Sequence, residues 1–77
     1  MEEIKLLDVV ALLEGIPEEG LKRGEVGTVV EVFEDKPDRP GAFLIEFSDD
    51  AGEAYAFVAL PAEKLIPLYH RRRDEAA

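Results

Sequence analysis

Gly24-Glu25-Val26-Gly27-Thr28-Val29-Val30-Glu31-Val32-Phe33-Glu34 decides the reading of this chain. From Thr28 onward it carries the strongest strand signal in the sequence, a β-branched run ending on an aromatic. The two glycines three apart before that run predict a tight turn or bulge feeding a bent strand. Strict alternation then puts Thr28, Val30 and Val32 on one face and Val29, Glu31 and Phe33 on the other, with Glu31 marking the wetter face.

Upstream, Glu14 to Gly24 (EGIPEEGLKRG) reads as a polar loop whose only apolar residues, Ile16 and Leu21, tuck back onto the core. Before it, Leu6 to Leu13 is almost continuously apolar, with Asp8 inside. Periodicity cannot separate a strand here from a two-turn helix. The Val9-Val10 pair and the Gly15, Pro17 punctuation favour strand. Downstream, DKPDRPG (Asp35 to Gly41) is a turn with two prolines. Ala42 to Phe47 is a strand with Phe43, Ile45 and Phe47 on one face and Glu46 on the other. Ser48 to Glu53 is a hairpin connection, and Ala54 to Leu60 the next strand. Pro61-Ala62-Glu63-Lys64 predicts one short helical turn with Pro61 at its first position. Leu65, Ile66 and Leu68 form a last short strand.

Five short strands without an amphipathic helix predict an all-β fold: a small SH3-like, five-stranded antiparallel barrel, closed or nearly so, with one helical turn before the last strand. The chain has 77 residues and no cysteine, so it is read as one domain over 1–69, followed by a polar tail over 70–77. Disulfides, thiolate metal sites and cysteine nucleophiles are excluded together. No apolar run is long enough for a membrane span. Met1-Glu2-Glu3 lacks the basic start of a signal peptide. The expectation is a soluble, cytoplasmic protein.

Leu7-Asp8-Val9-Val10-Ala11-Leu12-Leu13 and Gly24-Glu25-Val26-Gly27-Thr28-Val29-Val30-Glu31 carry a closer resemblance. So, more weakly, do Glu46-Phe47-Ser48-Asp49 and Leu60 to Leu65. Over roughly residues 4–68 the chain resembles a family of small bacterial, often cyanobacterial, proteins catalogued only as a domain of unknown function, number four-nine-two-six. The DKPDRPG insert and the HRRR tail look peculiar to this chain. The resemblance implies an SH3-like layout and no established activity. Members look like the small partner of a neighbouring gene product, as antitoxins and immunity proteins do.

Charge directs the functional reading. Eighteen acidic residues against nine basic ones leave a net charge of −9. Such a surface repels phosphate backbones, which argues against nucleic acid, and attracts a basic partner. It also keeps a small protein soluble. Glu18, Glu19, Glu25 and Glu31 lie around the Gly24–Gly27 turn, and Asp49, Asp50 and Glu53 in the hairpin. With Tyr55, whose burial is left open, they are the candidate partner-binding residues. Phe33 and Phe57 are expected inside the barrel. Asp49-Asp50-Ala51-Gly52-Glu53 lacks the alternating acids of a calcium loop. Gly24-x-x-Gly27 lacks the Lys-Ser/Thr of a phosphate loop. His70, the only histidine, sits in the tail beside Arg71 to Arg73, and Thr28 and Ser48 are the only Ser or Thr, so no hydrolytic triad assembles.

The expected function is therefore a non-enzymatic acidic protein-binding module without cofactor or metal. It is of the antitoxin or immunity type, with a basic protein as partner and no membrane. The alternative is an accessory structural subunit of a larger enzyme or electron-transfer complex, held by an apolar patch. A homodimer is compatible with both.

Overall fold

The computed structural model describes residues 4–68. The 70–77 tail with His70 and its arginines, and Tyr69, lie outside the described residues. Five antiparallel strands form one sheet: β1 (Val9–Leu12), β2 (Val26–Phe33), β3 (Ala42–Ser48), β4 (Ala54–Leu60) and β5 (Leu65–Pro67), in the order β4-β3-β2-β1-β5. One 3-10 turn, Pro17–Glu19, lies in the loop before β2, and another, Ala62–Lys64, precedes β5 with Pro61 as its N-cap. The SH3-like layout holds in strand number, pairing and the turn before the last strand. The barrel is not closed by hydrogen bonds, because β4 and β5 end the sheet without pairing. At three residues ending on Pro67, which has no N–H, β5 offers little ladder to close on.

All five strands serve one core. Val10, Val29, Ile45 and Phe47 are fully buried, with Ile4, Leu12, Leu21 and Leu65 around them. Register explains the set: Ile45 stands opposite both Val29 and Val58, and Leu12 opposite Leu65. Phe47 closes over Gly27, where a Cβ would lie 3.0 Å from its ring. Leu21 is buried and Ile16 half-buried, joined by an isolated bridge, so the loop before β2 is pinned as its sequence indicates.

Three expectations need correction. The apolar run from Leu6 to Leu13 is not all strand. Leu6 and Leu7 form an exposed turn in which the Asp8 N–H donates to the Lys5 carbonyl, the Lys5 N–H donates to the Asp8 carboxylate, and Leu7 takes a φ of +73°. The alternation along β2 also breaks. Between Val29 and Glu31 the register against β3 shifts, so Val29 opposes Ile45 while Glu31 already opposes Leu44. This bulge at Val30 reverses the phase. Val29 is therefore core, Val32 pairs with Phe43, and Phe33 turns outward, 39% exposed. Phe57 is exposed too, at 58%, because its register partner is Glu46 on the outer face. Neither phenylalanine is interior.

Candidate partner-binding surface

The outer face starts from one cross-strand row: Phe57 beside Glu46, Glu46 beside Thr28, Thr28 beside Val9. Its ends are exposed and its middle half-buried. Tyr55 and Val26, on the strands β4 and β2, are likewise exposed. The row shows apolar and acidic groups interleaved on one sheet surface.

The Tyr55 O–H donates to Glu25 Oε1 at 2.7 Å, and the Lys22 N–H donates to Glu25 Oε2 at 2.8 Å. The phenol and then the Lys22 amide hold the Glu25 carboxyl below its ordinary value. The same bond, reinforced by the Glu25 and Asp49 charges, pushes the Tyr55 phenol up. Glu25 is thus a latch joining the turn before β2 to β4, with both oxygens engaged. No sequence signal marks that pair, 30 positions apart. Asp49 is also occupied: its Oδ1 accepts from the Ala51 and Glu53 amides, capping the β3–β4 hairpin. Asp50 and Glu53 stand exposed beside it.

Glu18 and Glu19 occupy the 3-10 turn Pro17–Glu19, closed by Gly20 at φ +71°, whose N–H donates to the Pro17 carbonyl. Glu18 lines a cleft of about 230 Å³ together with the apolar Leu12, Ile16 and Leu60 and the charged Glu14 and Lys64. Lys64 Nζ lies 3.2 Å from Glu14 Oε1. Both groups are exposed, so this pair is worth at most about 1 kcal/mol. The cleft is smaller than the roughly 300–1,000 Å³ of small-molecule sites and suits a single side chain. Leu12, Leu60 and Lys64 went unrecognised in the sequence, because they meet the loop that begins at Glu14 only through its return onto β1 and the turn after β4.

The structure therefore brings Glu25, Tyr55 and the Asp49 hairpin together, sets Glu18 at the cleft with Glu19 exposed in the same turn, and leaves Glu31 exposed on β2 past the bulge. No charged side chain is buried, and the Lys64–Glu14 contact is the one ion pair among the described residues. Among those residues no three His, Cys, Asp or Glu side chains converge as metal ligands, and no helix is long and apolar enough to cross a membrane.

A family model described as Domain of unknown function (DUF4926) matches residues 6–67. The chain belongs to this family. The match takes in all five strands, the cleft and the Tyr55–Glu25 latch. No curated protein and no solved structure shows significant similarity to the chain.

Proposed function

We propose that this domain is a non-enzymatic protein-binding module whose partner presents a basic surface, in the manner of an antitoxin or immunity protein. One observation carries the reading: among the described residues no acidic side chain is buried, most are exposed, and a single ion pair offsets their excess. Unneutralised charge of one sign raises the rate of encounter with the opposite sign. The cleft supplies the contact that follows. A lysine or arginine of the partner lays its stem on Leu12, Ile16 and Leu60 and brings its head to Glu18. Glu19, Asp50 and Glu53 supply steering charge, whereas Glu25 and Asp49 are committed to the fold.

The exposed apolar residues favour a second reading, an accessory subunit of a larger complex held by apolar contact. Phe57, Tyr55, Val26, Val9 and Ile66 are all exposed. Affinity capture from the source lysate at low salt separates the two when wild type is compared with a Glu18→Gln/Glu19→Gln variant. The expected result is a basic protein held by wild type and retained several-fold less by the variant. Equal capture by both baits would transfer support to the subunit reading.

A further inference from the structure

Among the described residues β4 is a free edge: it pairs there with β3 alone and stands at one end of the sheet. Natural edge strands are guarded by charge, proline, brevity or a cover. Ala54-Tyr55-Ala56-Phe57-Val58-Ala59-Leu60 has seven residues with no charge, no proline and no glycine, and none of the seven is buried. The other edge, β5, has three residues and ends on Pro67. One edge is blunted and the other is open.

We propose that β4 pairs antiparallel with β4 of a second copy about a two-fold axis at Phe57, merging two sheets into one. The strand is complementary to itself in that register. Tyr55 falls opposite Ala59 of the second copy, Ala56 opposite Val58 and Ala54 opposite Leu60, so each larger side chain meets a smaller one. The two Phe57 rings form the central aromatic cross-strand pair. The exposure of Phe57 and Tyr55 is then the exposure of an interface in the isolated chain. A two-fold contact between identical strands is closed and adds no further copies.

The dimer is weak and salt-promoted. One strand pair buries far less than a standard interface, which places dissociation between about 10 μM and 1 mM. Each copy carries a charge of −9, with Glu46 and Glu25 beside Phe57 and Tyr55 and with Asp49, Asp50 and Glu53 in the hairpin before the strand, none of them within it. Screening removes that repulsion and leaves the apolar contact, so association rises with salt. A charge-steered basic partner weakens with salt, so the two interactions are told apart, and neither depends on the other.

Sedimentation equilibrium of the full chain up to about 1 mM, in low and high salt, tests the pairing. The mass moves from monomer toward dimer with concentration, further at high salt. Two variants then locate the contact by placing the same charge at exposed apolar positions on opposite edges. Phe57→Asp loses at least about tenfold in association, whereas Ile66→Asp dimerises like wild type. Amide exchange of the wild-type chain, dilute against concentrated, gives a readout that no variant's folding can disturb: protection rises along 54–60. A wild-type monomer at about 1 mM in high salt would overturn the proposal. So would a dimer that Phe57→Asp leaves intact, equal loss in both variants, or protection gained only elsewhere.

Discussion

A Cβ added at Gly27 would lie 2.6 Å from Ile45 Cγ2 and 2.8 Å from the Glu46 carbonyl oxygen. The carbonyl cannot yield as a flexible side chain does, so β2 and β3 must part. At Gly24 nothing stands within 4 Å, and the constraint is a φ of +89°. The two glycines serve different ends, close packing and chain reversal. Gly27→Ala costs about 1–3 kcal/mol as overpacking. Gly24→Ala costs about 1 kcal/mol as backbone strain. Urea unfolding of both variants ranks them. Tyr55 and Glu25 supply the residue-scale pH dependence. The Glu25 carboxyl is lowered in the fold, so its contribution is present above the ordinary glutamate value of 4.5 and lost as pH falls through the depressed value. The Tyr55 phenol is raised, so its contribution holds below the ordinary tyrosine value of 10.0 and is lost as pH rises through the elevated one. In Tyr55→Phe the Glu25 pKa moves back up toward the ordinary value. NMR titration of the Glu25 carboxyl reads that change, and an unmoved midpoint would remove the latch from the account.

At the scale of elements, the β3–β4 hairpin depends on Asp49. Its side chain accepts two amide hydrogen bonds, and its backbone bonds to Glu53 and Gly52, the latter at φ +84°. Asp49→Ala costs about 1 kcal/mol. Amide exchange quickens at Ala51 and Glu53 before the rest of the sheet, whereas unchanged exchange there would show that the turn closes without the cap. The hairpin, the turn before β5 and the succession of strands along the chain were legible because they rest on local signals: Gly and Pro punctuation, β-branched runs, and alternation in β3 that Ile45 and Phe47 obey with complete burial. The burial of Val29 was not legible: alternation groups it with Glu31 and Phe33 on the wetter face, and nothing local to TVVEVF announces the bulge at Val30 that parts it from them. Leu6 and Leu7 misled for a related reason. Apolar composition reads as strand, yet this pair is held in a turn by Asp8. Of the candidate site, the acidic residues could be named from sequence. Which of them are free to act could not, because the bonds occupying Glu25 and Asp49 emerge only when the chain is folded.

At the scale of the molecule, the sheet exposes acids and apolar side chains on one surface and keeps one open edge. In the function we propose, the acidic excess steers encounter and the cleft by Glu18 supplies the grip. Steering acts at a distance and is screened by salt within about 10 Å at 0.1 M, so its signature is ionic. Apolar docking lacks that signature. Stepwise salt elution of protein captured from the source lysate by the wild-type domain measures the difference directly. The expected result is a basic protein retained at low salt and released at moderate salt. A partner that stays bound through high salt, or an empty column at low salt, would contradict it.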